Sequence, residues 1–217
     1  MFKKIVGILL LILCLFLAIM IIEPTQLEVN EITVKSNQIP PEFNGTRIAV
    51  IGDFHYGEFV DENRVSYEQN PDITVMVGDY VTDNKDDVQP CIDILSNLRA
   101  KYGVYGVLGN NDPKNTTSNA LDASSITNLR NRGVWIEKDG AKIRLGGVGD
   151  LSTDFQYPRL TTNGAADDDF VILAHHNPNY FDTLNHTRID LSLSGHTHGG
   201  QVNLFGYTPW VEPSEKG

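Results

Sequence analysis

Five short polar clusters, each set just after a run of β-forming residues, constrain this chain of 217 residues more than any other feature. Gly52-Asp53-Phe54-His55 follows the run at 47–51, Gly78-Asp79-Tyr80 follows 73–77, and Gly109-Asn110-Asn111-Asp112 follows 104–108. His175-His176-Asn177-Pro178 follows 170–173, and Gly195-His196-Thr197-His198 follows 191–194. In open α/β sheets, ligands sit beyond the carboxyl ends of the strands. Clusters far apart along the chain can therefore converge on one sheet edge.

Two further β-runs, 134–137 and 142–148, are joined through Asp139-Gly140, which reads as a tight hairpin turn. Helical periodicity is expected over 88–100, with Ile92, Leu95 and Leu98 on one face, and over 120–132. Alternation over 26–43 predicts an edge strand that runs into an extended linker at Pro40-Pro41. Strands that alternate with helices at first and then follow one another closely indicate an α/β sandwich around mixed sheets.

The residue types in the clusters point to metal. Asp53 and His55, like His196 and His198, are two apart, a spacing that turns both side chains to one side of an extended segment. Asp79, Asn110 and His176 complete a set of two carboxylates, four imidazoles and one amide. Imidazole and carboxylate together suit zinc, iron or manganese, whereas calcium or magnesium rarely recruits several histidines. One tetrahedral zinc needs four ligands. Seven fit two divalent ions that share a carboxylate. Such a pair, about 3.5–4 Å apart, clamps a phosphoryl group and activates water without a protein nucleophile. Taken singly, each histidine reads as a surface or satisfied core residue; the ordered set of five clusters is what carries the inference. His175 is expected to turn away from the metals by strand alternation, and His186 to lie on a solvated loop. Asp83 and Asp112 read as turn residues or supports of the ligands, and Asp167-Asp168-Asp169 as a solvated turn.

The first 22 residues form a separate unit. Residues 5–22 carry no charge, and as a helix these 18 residues would span roughly 27 Å, close to the hydrocarbon thickness of a bilayer. A cleaved signal peptide is the rival reading, but the run is long for one and ends in Glu23-Pro24 without small residues at a cleavage site. Lys3 and Lys4 before the span, and Glu23, Glu28 and Glu31 after it, orient the rest of the chain away from the cytoplasm. The expected organisation is a transmembrane anchor at 1–22, a strand and linker at 23–46, and a catalytic domain at 47–217. A net charge of −11 removes any broad electrostatic footprint for nucleic acid. Cys14 lies in the apolar span and Cys91 in the domain, so no disulfide framework is expected and Cys91 reads as a buried thiol. Asn44-Gly45-Thr46, Asn115-Thr116-Thr117 and Asn185-His186-Thr187 match glycosylation sequons, a common pattern with little weight.

In order, the clusters DxH, GDx, GNxD, HNP and GHTHGGQ resemble the calcineurin-like metallophosphoesterase superfamily, and more narrowly its bacterial membrane-anchored branch. The resemblance implies a four-layered α/β/β/α sandwich of two mixed sheets behind one transmembrane helix. It implies that Asp53, His55 and His198 hold one metal, that Asn110, His176 and His196 hold the other, and that Asp79 bridges them. The implied reaction is hydrolysis of phosphoric esters, with phosphodiesters or pyrophosphates favoured, by a hydroxide between the ions. The implied substrate is lipid-linked at the bilayer surface, and no nucleic-acid partner is expected. A metal-binding receptor or scaffold without turnover is the competing class, and a nuclease is disfavoured by charge and anchor.

Two departures matter. Asn111 stands where the superfamily usually has a histidine that contacts the phosphate and protonates the leaving group. Asparagine donates hydrogen bonds but delivers no proton, and general-acid help is typically worth about 10²–10⁴-fold. The sequence also stops at Pro213–Gly217, soon after the last cluster, so either a fragment or an incomplete C-terminal sheet edge is expected.

Overall fold

A computed structural model describes residues 2–22, 29–56, 70–184 and 188–198. The end of the GHTHGGQ run, His186, the Asn185 sequon, residues 23–28 of the linker and the C-terminal end lie outside the described residues.

Helix α1, Phe2–Ile22, is long and apolar enough to cross a membrane, and none of its best 18-residue window is buried against the protein. The domain begins with a short 3-10 turn at Pro41–Phe43, whose Phe43 is buried. The edge strand expected over 26–43 does not form among the described residues of that stretch. Ile32 and Val34 are two apart as in a strand, yet both stay exposed with Val29, because no neighbouring strand offers them a face.

Among the described residues, eight strands form two four-stranded sheets. In the first, β1 (Ile48–Ile51), β2 (Ile73–Met76), β3 (Val104–Gly106) and β4 (Thr127–Asn128) lie side by side in chain order. All three pairings are parallel, so mixed pairing among the described residues is confined to the second sheet. There β5 (Arg132–Lys138) and β6 (Ala141–Gly147) form the hairpin through Asp139-Gly140, and β7 (Val171–Ala174) and β8 (Leu191–Leu193) add in parallel.

The two-residue period of the strands sorts their side chains into three cores. Ile73, Val75 and Val77 face inward and meet Ile136, Ile143, Leu145, Ile172 and Ala174 of the second sheet. Met76 points the other way, onto helices α2 (Lys85–Leu95) and α3 (Lys114–Asp122), where it joins Val88, Cys91, Ile92, Leu95 and Leu121. Leu173 packs outward with Val148, Tyr180 and Leu184, under the 3-10 helix Pro178–Thr183. Beside this layer, the short helix α4 (Pro158–Thr162) packs on β5 and β6. The result is the helix, sheet, sheet, helix layering that the motifs implied.

Helices α2 and α3 begin earlier than their apolar periodicity suggests. Asn84 caps α2 by accepting from the Asp86 amide at 3.1 Å, and Asp86 and Asp87 complement the helix dipole in the first turn. The helix ends at Leu95, before Ala100: the Asn97 and Leu98 amides donate three residues back, to the Ile94 and Leu95 carbonyls, and tighten the last turn. α3 occupies 114–122 instead of 120–132. Its first half, Asn115-Thr116-Thr117-Ser118, has weak intrinsic helix preference. Beyond it, Ser124 bonds both the Leu121 carbonyl and the Ile126 amide, and Thr127–Asn128 pair as a strand. Cys91 is buried as expected, and burial pushes its thiol up to about 12.

Candidate metal centre

Each cluster sits at the carboxyl end of a parallel strand, on one edge shared by the two sheets. The loops are sharp. Asp53, His55, Asp79, His196 and His198 all have positive φ, from 43° to 76°. Left-handed backbone costs a residue with a side chain about 1–3 kcal/mol, and such strain gathers at functional sites. The two-apart pairs therefore converge through left-handed turns rather than through the pleat of an extended segment.

Two glycines allow the loops after β2 and β3 to touch. Gly78 has φ +96°, and a Cβ on it would lie 2.4 Å from the Gly109 amide nitrogen. A Cβ on Gly109 would lie 2.1 Å from Asp79 Oδ1. Asp112 then ties the loops together. Its carboxylate is buried and accepts from the amides of Gly109 (2.7 Å), Tyr80 (2.8 Å), Asp79 (2.9 Å) and Val81 (3.3 Å). Burial pushes this carboxyl up to about 7 while the amides pull the other way. Both oxygens face N–H donors, so the ionised form is the one this nest is built to hold.

The ligand-type atoms fall into two groups with one member in common. Asp53, His55, Asp79 and His198 bring one such atom each within 4.8 Å of one another, and Asp79, His176 and His196 do the same. In the first group, His55 Nε2 lies 3.3 Å from His198 Nε2 and 3.7 Å from Asp79 Oδ2. His198 Nε2 is 3.4 Å from Asp53 Oδ1. In the second, His176 Nε2 lies 3.3 Å from Asp79 Oδ2, 3.1 Å from His196 Nδ1 and 3.0 Å from Asn110 Oδ1.

The supporting bonds set which atoms face inward. His176 Nδ1 donates to the Val77 carbonyl at 2.8 Å, which leaves the Nε2 lone pair directed at the group. Asn110 Nδ2 donates to Asn111 Oδ1 at 3.1 Å, so Asn110 turns its oxygen inward. His55 Nδ1 meets Thr82 Oγ1 at 2.9 Å. Asp53 Oδ2 accepts from the His196 amide at 2.8 Å, while Asp53 Oδ1 is buried with no hydrogen-bond partner.

A set of lone pairs this dense needs positive charge. Burial acts against a proton on His176, but neighbouring Asp79 prevails and holds the ring up at about 9. Asp79 is itself held below its usual range, with burial opposing and His176 outweighing it. Asp53 raises His198. Carboxylates, imidazole nitrogens and an amide oxygen in contact, one buried carboxylate oxygen without a hydrogen bond, form a donor set that suits divalent ions.

His175 turns away from this group. It is buried, with Nδ1 against the Asn177 carbonyl and Nε2 against Ser192 Oγ, and burial lowers it to about 4. Asp83 contributes its amide to the Asn111 carbonyl at 2.9 Å. Asp169 of the acidic run closes its own turn on the Ala166 amide. Asp150 was missed by the sequence reading, although Gly149-Asp150 repeats the strand-then-Gly-Asp signal after β6. It is buried, its Oδ1 binds Ser152 and Thr153, its Oδ2 has no partner, and its charge acts on both His175 and His196.

The calcineurin-like phosphoesterase family matches residues 46–200, a span that contains all five clusters. The chain belongs to that family. As a calcineurin-like phosphoesterase it is a hydrolase acting on ester bonds, of a family that uses divalent metal ions. Among its relatives, the uncharacterized metallophosphoesterase YkuE of Bacillus subtilis is 31% identical over 88% of this chain and 72% of its own length. Phosphodiesterase YaeI of Escherichia coli is 32% identical over 73% of the chain and 62% of its own length. A bovine transmembrane protein with a metallophosphoesterase domain is 28% identical over 80% of the chain, which spans 45% of that longer protein.

Proposed function

We propose that Asp53, His55 and His198 hold one divalent ion, that Asn110, His176 and His196 hold a second, and that Asp79 belongs to both. The observation that carries this is the double membership of Asp79, whose Oδ2 faces His55 on one side and His176 on the other. Manganese, iron and zinc suit the donor set. Bound there, the ions would supply Lewis acidity that draws charge from a phosphoryl oxygen and lowers the pKa of water. The protein's own part is to orient and to exclude. Asp112 fixes the two central loops, Val77 and Thr82 fix the His176 and His55 rings, and Asn111 holds Asp79 through its backbone amide and its Nδ2, both at 2.9 Å.

The reaction is hydrolysis of phosphodiesters or pyrophosphates, with the domain anchored by α1, facing away from the cytoplasm and acting on lipid-linked substrate. The anchor and the name of the E. coli relative support this choice. Metal analysis of the purified protein, joined to assays of p-nitrophenyl phosphate and bis-p-nitrophenyl phosphate with manganese, is the test. Two equivalents of metal and faster cleavage of the diester are expected. Metal without hydrolysis of either ester would refute it.

Asn111 shapes the preference. It can stabilise charge on a departing oxygen but cannot protonate it, so poor leaving groups are disfavoured. Asn111→His is expected to speed hydrolysis of alkyl esters by roughly 10²-fold, and to change esters with acidic leaving groups little. Equal acceleration of both would contradict the assignment.

A further inference from the structure

We propose that the loop after β6, tipped by Phe155, Tyr157 and Leu160, is a membrane-docking rim that seats the metal centre on the bilayer crossed by α1. Phosphoesters of lipid headgroups would then be the substrate class. The choice of substrate rests on the function proposed above; the docking does not.

The loop starts at the working edge of the molecule. β6 lies beside β7, which delivers His176, and the Val148 amide at the start of the loop donates to the Ala174 carbonyl, two residues before His176, at 3.3 Å. The loop is pinned to its neighbours. Asn131 Oδ1 accepts from the amides of Gly149 (3.3 Å) and Tyr157 (2.8 Å), and Asn131 Nδ2 donates to the Phe155 carbonyl at 2.8 Å. Asp154 pairs with Arg130, and also with Lys114 at 3.3 Å, three residues beyond Asn111.

A loop held this firmly nevertheless leaves Phe155 71%, Tyr157 54% and Leu160 47% exposed, with the two rings stacked at 6.4 Å between centroids. Outside α1 and the linker, the other exposed large apolar side chains among the described residues are Val50 and Phe181, each standing alone. Single exposed apolar residues are ordinary, whereas a concentrated, ordered group marks a surface that something covers. Two aromatic rings and a leucine beside exposed Arg159 match the chemistry of a bilayer interface, where rings settle at headgroup level and cations reach the phosphates. The bilayer is within reach. Residues 23–40 separate α1 from the buried turn at Pro41–Phe43, and chain of that length extends to about 60–65 Å at most, so the tether lets this face turn to the membrane. With a net charge of −11, attraction to anionic lipid does not hold the domain there, and apolar insertion does.

The test uses the full chain in nanodiscs of phosphatidylcholine and phosphatidylglycerol that carry a nitroxide-labelled lipid. With Cys14→Ser in place, buried Cys91 stays unlabelled and an environment-sensitive dye can be attached through Phe155→Cys. Glu137→Cys, at the opposite end of the β5–β6 hairpin, is the control. Several-fold stronger lipid quenching at position 155 is expected; equal quenching at both positions overturns the docking. A dye at 155 that is shielded but not quenched assigns the cover to protein, and also overturns it. Phe155→Ser combined with Tyr157→Ser should slow cleavage of a p-nitrophenyl phospholipid ester in the nanodisc at least about tenfold, and leave soluble bis-p-nitrophenyl phosphate unchanged. Equal loss on both substrates would place the pair in substrate binding or folding instead. Quenching at 155 in a protein that cleaves neither ester would keep the docking and refute the proposed function.

Discussion

Asp79→Ala is expected to empty both metal positions together and to lower diester hydrolysis by at least about 10³-fold. The reason is positional. Asp79 Oδ2 lies 3.7 Å from His55 Nε2 and 3.3 Å from His176 Nε2, so one carboxylate serves both groups of ligands. His55→Ala, by contrast, touches one group and should cost about one equivalent of metal. Metal analysis of the three proteins after gel filtration reads the difference directly. Retention of one full equivalent by Asp79→Ala would sink the shared role. Asp79 is also buried and takes two bonds from Asn111, so a thermal melt of each variant has to accompany the metal count.

Asp112→Ala is expected to unfold the edge that carries the site, at a cost of about 3–5 kcal/mol in the metal-free protein. Four backbone amides from the loops after β2 and β3 point at this one carboxylate, and alanine leaves them buried without an acceptor. Asp112→Asn keeps the volume and one oxygen, so a smaller loss is expected. Urea denaturation followed by circular dichroism measures both. A change below about 1 kcal/mol for the alanine variant, the size of one ordinary hydrogen bond, would show that the loops hold their shape without Asp112.

These two residues also show how far the chain could be read without coordinates. Asp79 was legible because a glycine and a carboxylate after an apolar run repeat a pattern found at several strand ends. Asp112 was legible only as an acidic neighbour, because an acceptor for amides of a loop some thirty residues away has no sequence signature. The same holds for His176, whose inward-facing nitrogen is chosen by a carbonyl of Val77, a backbone atom that every residue possesses. Helix ends were misjudged where capping by Asn84 and Ser124 outweighed apolar periodicity. The edge strand in the linker failed because alternation describes one strand, whereas pairing requires a second.

By itself, then, the order of residues determined the layered α/β architecture and the apolar N-terminal helix, and it singled out seven side chains of ligand type for the proposed centre. Period-two and period-3.6 patterns and residue types are local properties, and they survive in one dimension. Tertiary structure alone decided that five of those seven residues sit in left-handed turns, that Asp79 stands between two groups, that Asp150 is buried and that Phe155 and Tyr157 stack in the open. Those are distances and directions between segments remote in sequence. They follow from how two sheets close on a common core, which no single stretch of chain encodes.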